Sequence, residues 1–465
     1  MRTPTPTYPA DAAPAATVQP QPALWRHFLA FMVPMLASNV LQSLSGTVNN
    51  IYLGQMLGVG AMASVSAFFP VFFLLIAIMI GLGSGAAVLI GQAWGAKDIE
   101  RAQAVAGTML SVGLIAGALV AVFGGAFTGP LLRLMGTPAD VLPGATAYAR
   151  VLLVAAPAVF LFILFTSMLR GTGDAKTPLY TLLVSTVLGL LLTPALIAGW
   201  LGLPRLGVAS AAWASLLSMT AAMAWLAWYL RRKRHVFAPN AALFSHMHID
   251  RVLLGKILRV GLPTALTMIT ISLSEIAVLF LVNSFGSQAT AAYGAVNQIV
   301  SYAQFPAMSI AITTSIFAAQ AIGAGRGHTL GHIARTGIVM NLLLTGSLVL
   351  LGYLFSRPML GLFITDPAVV DIAQGLLHIM LWACVVFGMS TVLSALMRAS
   401  GVVMMPTLLS MLAIGGVQVP TAWLLSRHFG LDGVWMGYPV AFVAMLAMQT
   451  AYYRLVWKKL PLKRL

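Results

Sequence analysis

The sequence predicts an all-α integral membrane protein of twelve transmembrane helices arranged as two pseudo-symmetric six-helix bundles. Three observations carry this. Of the 465 residues 60% are hydrophobic and only 8% charged, a balance outside the range of water-soluble domains. The apolar residues fall into about twelve runs of the roughly 20-residue length that spans the hydrocarbon of a bilayer. Short motifs recur at a fixed interval of 228 residues, the mark of an internal repeat.

The runs lie near 28–53, 62–92, 100–126, 141–168, 177–200, 207–230, 256–283, 289–322, 332–355, 370–396, 404–426 and 433–456. The 43 glycines and 24 prolines suit membrane helices, whose neighbours can satisfy the freed backbone groups. IGQAWGA at 90–96 returns as AAQAIGA at 318–324, LRGTGDAKTP at 169–178 as MRASGVVMMP at 397–406, and LGL at 201–203 as FGL at 429–431. Three matches in register divide the chain into like halves, and six crossings per half relate them by an axis along the membrane normal. The expected organisation is a disordered cytoplasmic tail at 1–24, an N-terminal lobe at 25–231, a cytoplasmic linker at 232–250 and a C-terminal lobe at 251–465. The six prolines among residues 1–22, without an apolar run, are the pattern expected of a disordered tail rather than a signal peptide.

The net charge of +16 raises the question of nucleic acid, and its distribution answers it. With both termini in the cytoplasm, 21 of the 26 basic residues collect on that side, including Lys97, Arg101, Lys176 and the run Arg231 to Arg234. Such a bias sets topology and requires no nucleic acid, while attraction to anionic membrane lipids is compatible with it. The single cysteine, Cys384, excludes an intramolecular disulfide and a cysteine-rich metal site.

Two like halves around a cavity are a transporter design. QAWGAKDIERA after the second helix, LRGTGDAKTP after the fourth, FPAMSIAITTSIFAAQAIGAG through the eighth and MRASG after the tenth resemble the multidrug and toxic compound extrusion (MATE) family, over about residues 25–460. The resemblance implies a V of two six-helix lobes in the bacterial cytoplasmic (inner) membrane. It also implies antiport of small organic, mostly cationic compounds against protons or sodium, with no cofactor beyond the ion gradient and a single chain as the functional unit.

Within ISLSEIAVLF, at 271–280, sits an acid in an otherwise apolar run. A carboxylate there costs a few kcal/mol, so it faces the bundle interior and serves a purpose. Burial disfavours its charged form, the condition for taking up and releasing a proton. Glu275 is therefore the candidate ion-coupling residue. The alternative is that it accepts hydrogen bonds from Ser272, Ser274 or a neighbouring helix and fixes packing. Family members often carry a glutamate on this helix after a Gly-x-Pro, here Gly261, Leu262 and Pro263, in many about one turn earlier than Glu275. Two departures bear on coupling. Where many bacterial relatives have a first-helix aspartate, this chain has Asn49 and Asn50, and where the sodium-coupled branch has an aspartate in the tenth helix, this chain reads FGMSTVLSALMR. A lone interior acid compensates a sodium ion poorly, which favours protons; sodium coupling within the family, or a flippase for a lipid-linked or bulky metabolite, remains the alternative.

Cavity-wall candidates follow from polar residues at helical spacing. Asn39, Gln42 and Asn49 share a side of the first helix, and Tyr293, Asn297 and Gln304 lie on the eighth beside Phe305. Met268 and Met308 are adaptable apolar candidates. For each amide singly, interhelical packing is an equal explanation. Arg170 and Arg398, repeat-equivalent at helix ends, are expected to anchor topology and cap carbonyls. Paired carboxylates, a nucleophile with its base, or a His/Asp metal cluster would signal an enzyme. The eight scattered histidines and one interior acid predict no enzyme and no metal site.

Overall fold

The computed structural model describes residues 24–462, 464 and 465. The expected tail at 1–24 therefore lies, except for Leu24, outside the described residues. Among the described residues eleven helices are long and apolar enough to cross a membrane, and a bent helix pair makes the twelfth span. We number them α1 (Leu24–Leu57), α2 (Val59–Gly95), α3 (Ile99–Leu119, extended by a π-helical turn Val120–Gly124), α4 (Leu142–Val154 and Ala156–Gly171), α5 (Lys176–Ala198), α6 (Ser210–Arg232), α7 (Arg251–Asn283), α8 (Ser287–Gly323), α9 (Leu330–Leu354), α10 (Pro367–Ala399), α11 (Met404–Phe429) and α12 (Leu431–Leu455).

The scarce acids explain where several helices begin. Asp98, Asp250 and Asp366 are N-caps of α3, α7 and α10, accepting from Arg101 N, from Val252 and Leu253 N, and from Ala368 N. Asp174 accepts from the backbone of Lys176 and Thr177 as α5 begins. A carboxylate at a helix start satisfies orphan N–H groups and complements the dipole. Asp371 lies near the start of α10 and pairs with Arg357 at 2.8 Å, both side chains exposed. Glu275 is left as the acid placed within a span.

Prolines and π turns shape the spans. The halves of α4 meet at Ala155 with a 52° bend. Pro157 stands at the start of the second half, and a proline lacks the N–H that would continue the ladder. In α11 a π-helical segment, Leu412–Gln418, contains Gly415 and Gly416 and runs into Pro420. It releases the Ile414 carbonyl, which accepts from Ser274 Oγ of α7 at 3.3 Å.

Helices α1–α6 form one lobe and α7–α12 the other; each lobe has an apolar core, and that of the first also takes in Leu253 and Ile257 at the start of α7. Apolar side chains that remain exposed, such as Val122, Leu191, Phe280 and Leu350, lie on the outer faces, as a hydrocarbon solvent allows. The stretch joining the lobes is docked. Phe237 and Leu243 are buried against α3, α4 and α6, Gln103 donates to Val236 O at 2.9 Å, and Thr108 to His248 O at 3.2 Å. A short helix within it, Ala241–Ser245, is capped by Asn240.

The lobes touch at one end, the base, through a twofold exchange. Gln92 Nε2 of α2 donates to Ala399 O at the end of α10, 2.9 Å away. Its counterpart Gln320 Nε2 of α8 donates to Gly171 O at the end of α4, 3.1 Å away. Gly95 lies against the backbone of Gln320, and Gly323 against that of Gln92, so closely that neither position has room for a Cβ. Donors, acceptors and glycines are each 228 residues apart, so the sequence repeat is visible as paired contacts across the pseudo-twofold axis. Residues 464 and 465 lie over the same end: Leu465 N donates to Gln92 Oε1 at 2.7 Å, and Arg464 pairs with Asp98 at 2.8 Å.

Candidate functional site: two joined cavities

Glu275 points into the interior of the C-terminal lobe. Tyr293 Oη of α8 donates to its Oε2 at 2.6 Å and Tyr438 Oη of α12 at 3.0 Å, with Asn297 Nδ2 of α8 at 3.5 Å. Three donors from two helices, α8 and α12, thus converge on one carboxylate oxygen of α7. The tyrosines are held in turn: Trp435 stands edge-on to the Tyr293 ring, centroids 5.1 Å apart, and Tyr438 packs on Phe442. Ser274 is occupied by the Ile414 carbonyl, so the partners of Glu275 come from other helices.

Around this group lies a cavity of about 450 Å3, walled by α7, α8, α10, α11 and α12. Beside the acid its lining is aromatic and amide: Tyr293, Tyr438, Phe387, Phe442, Gln304 and Gln418. Gln418 is buried, and its Nε2 has no partner among the described residues.

A second cavity, of about 300 Å3, lies between the lobes and is bounded by α1, α2 and α4 on one side and α7, α8, α10, α11 and α12 on the other. The two cavities share Ile271, Met308, Phe387 and Ile414 as wall, so Glu275 is one layer of side chains from the inter-lobe space. Asn39 joins the lobes here, donating to Ser309 Oγ at 3.0 Å. Nearer the mouth is a wider opening of about 870 Å3, lined by Asn50 and Gln55 of α1 and Gln298 and Tyr302 of α8.

The sequence candidates distribute as follows. Tyr293, Asn297 and Gln304 line the Glu275 cavity, and Asn39 and Met268 the inter-lobe cavity. Met308 lines both. Phe305 is half-buried, edge-on to Tyr302 at 5.4 Å. Asn49 accepts from Thr193 Oγ1 of α5 at 3.2 Å, within its own lobe. Gln42 is exposed on α1. Cys384 is buried in the C-terminal core. Among the described residues no group of three or more His, Cys, Asp or Glu is placed to hold a metal.

Sequence reasoning missed Tyr438 and Gln418, which lie 163 and 143 positions from Glu275; a lone tyrosine and a lone glutamine on apolar helices were the only signals. It also misplaced Arg170 and Arg398. The carbonyls at their helix ends are taken by backbone N–H groups of Gly173 and Gly401, and both arginine side chains line the inter-lobe cavity. A helix-end arginine can reach back along its helix as readily as outward, and hydropathy does not distinguish the two.

Paired six-helix lobes, a seal at one end and a half-buried acid beside the cleft define a membrane transporter. The chain matches the MatE family model twice, over residues 34–195 and 263–424, and it belongs to that family. It is 48% identical over 447 residues, 96% of each chain, to a protein described as "Probable multidrug resistance protein YoeA" of Bacillus subtilis (strain 168). It is 27% identical over 432 residues, 90% of this chain and 89% of the other, to "Probable multidrug resistance protein NorM" of Thermotoga maritima. A solved structure titled "Outward-facing conformation of a multidrug resistance MATE family transporter of the MOP superfamily" superposes with a TM-score of 0.85 at 25% identity, covering 93% of this chain and 95% of that one. The chain is thus a multidrug-efflux transporter of the MATE type.

Proposed function

We propose that the protein is a proton-coupled antiporter that exports amphipathic organic compounds carrying a cationic group, with Glu275 as the proton carrier. The observation that carries this is the convergence of Tyr293, Tyr438 and Asn297 on one oxygen of Glu275, inside a cavity that shares its wall with the inter-lobe space. A carboxylate held by hydroxyl and amide donors is poised to exchange a proton when the pocket opens or closes. The aromatic rings beside it suit an organic cation, which the ionised acid attracts and the protonated acid releases. What favours protons over sodium is the set of neighbours: Oε2 is met by donors, whereas a hard cation needs several oxygens directed at itself.

The base faces the cytoplasm in this reading. The connections there carry Lys97, Arg101, Lys176, Arg231 to Arg234 and Arg326, in keeping with the positive-inside bias. The structure is then the outward-open state: protons enter from the mouth, cargo leaves, and the deprotonated carrier reopens at the base.

Dye efflux from proteoliposomes, with the pH gradient and the sodium gradient imposed separately, tests this. The pH gradient alone is expected to drive wild-type transport, and Glu275→Gln to abolish it while preserving the fold. Proton-driven efflux intact in that variant, or wild-type transport that follows only sodium, refutes the assignment.

A further inference from the structure

Arg170 and Arg398 end the repeat-related helices of the two lobes and line one cavity, Arg170 from α4 and Arg398 from α10. Neither guanidinium has an ion pair: the two pairs among the described residues are Arg357 with Asp371 and Arg464 with Asp98. Arg170 Nε is fully buried without any hydrogen-bond partner among the described residues, and no side-chain acceptor meets Arg398 either. Apart from the amide of Asn39, the remaining polar lining is made of hydroxyls, with Ser84 and Ser167 on one lobe and Ser315 and Ser394 on the other. Among the described residues no acid lines this cavity; Glu275 lies in the neighbouring one.

Two enclosed guanidiniums without a counter-charge are costly. Each presents a planar fork of donors that a carboxylate or phosphate fits in bidentate fashion. Because the residues are 228 apart and the lobes exchange contacts around the pseudo-twofold axis, an anion in this cavity is approached from both lobes by the same chemistry. We infer that the inter-lobe cavity is a binding site for the carboxylate of an organic solute, held between Arg170 and Arg398 with hydroxyl support.

The inference deepens the exporter reading and rests on it for the claim that the occupant is cargo. It gives the cleft two poles, an acid above for a cationic group and a basic pair nearer the base for an anionic one. Zwitterionic and anionic amphipaths thereby join the substrate range. An anion bridging both arginines also holds the lobes together at the base, so its departure precedes opening there.

Equilibrium binding separates this from coupling, since no gradient is involved. The probes are dansylglycine, a carboxylate, and dansylglycinamide, its neutral counterpart, followed by fluorescence on purified full-length protein in a maltoside detergent free of phosphate and phospholipid. Wild type is expected to bind the acid at least about tenfold more tightly than the amide. Arg170→Gln and Arg398→Gln should each erase most of that preference and leave amide binding unchanged, Arg170→Lys should restore part of it, and Glu275→Gln should leave it intact. Equal wild-type affinity for acid and amide overturns the proposal, and so does a preference that survives both glutamine variants. The wild-type comparison decides even where a variant fails to fold. Displacement by dihexanoylphosphatidylglycerol at concentrations far below those of dansylglycine assigns the arginines to a lipid headgroup and overturns the cargo assignment. Wild-type protein that keeps the acid preference but shows no proton-driven transport would overturn the coupling assignment of Glu275 and leave the arginine site standing.

Discussion

Replacing Gly95 by alanine should open the base. The glycine is pressed on the backbone of Gln320, whose Cα would stand 2.9 Å from the new Cβ, and a main-chain neighbour cannot swing aside as a side-chain tip can. The helices must separate, which costs about 1–3 kcal/mol by the measure of overpacked cores. Separation also lengthens the half-buried bond from Gln320 to Gly171 O, for about another 1 kcal/mol. A total of about 2–4 kcal/mol shifts the ratio of base-closed to base-open molecules by roughly 30- to 1,000-fold. Gly323→Ala should do the same through Gln92, whose Cα would lie 2.8 Å from the new Cβ. Gly331→Ala, near the same end of α9 with nothing within 4 Å of the added carbon, should do nothing. The assay is the distance between spin labels on a pair of introduced cysteines, one on each lobe at the base. Cys384 is buried and leaves the background quiet. Unchanged distance distributions in both variants, or an equal change in Gly331→Ala, would refute the reasoning.

Glu275→Gln, as above, should abolish proton-driven efflux while leaving thermal stability within about 1 kcal/mol of wild type, since the amide keeps an acceptor for Tyr293 and Tyr438. Phe237→Ala removes a fully buried ring from the docked linker and should cost about 3–5 kcal/mol of local stability; the readout is faster trypsin cleavage between Arg231 and Arg251, and an unchanged rate would contradict the docking. His235, which follows α6 and accepts at Nδ1 from Phe237 N, is held below its ordinary value of 6.5 by burial, with Asp174 opposing. The folded protein therefore binds this proton less readily than the unfolded chain. Stability is lost as pH falls through 6.5 and levels off below the lowered folded value. Thermal unfolding of wild type minus that of His235→Asn should show this slope, and a flat difference would rule it out.

The features legible in the sequence are those set by solvent and by repetition. A hydrocarbon surround forces long apolar runs whatever lies next to them, so the twelve spans could be placed without knowing a single contact. The 228-residue register was legible as motif similarity and gains a physical reason in the structure: Gln92, Gly95 and the end of α4 face the same groups from the other half. The features that stayed hidden depend on how a helix is rotated and on what approaches from far along the chain. Tyr438 reaches Glu275 across 163 positions, and no local pattern announces it. The linker shows the same limit. Its polar, basic composition marked where the halves join, but not that Phe237 and Leu243 tie it to the N-terminal core.

The symmetry of the base and the asymmetry of the Glu275 pocket belong together. An exchange of two glutamine bonds and two glycine contacts treats the lobes alike, which suits a seal whose task is to part and re-form along one axis. Coupling chemistry has the opposite requirement, because one titrating group is enough to link one proton to one cycle. The N-terminal lobe accordingly carries no copy of the acid: α1, from Leu24 to Leu57, contains no acidic residue, and 228 positions before Tyr293 and Asn297 stand Val65 and Phe69. The arginines follow the symmetric pattern of the seal and sit just above it. In the proposed cycle, a ligand charge placed between them would act on both lobes equally, and so bear on whether the base opens, whereas a proton on Glu275 would act through α7, α8 and α12 of one lobe, the helices that meet at this carboxylate. In that proposed cycle cargo and proton therefore bias the same movement from different sides, the arrangement that antiport requires if neither is to cross without the other.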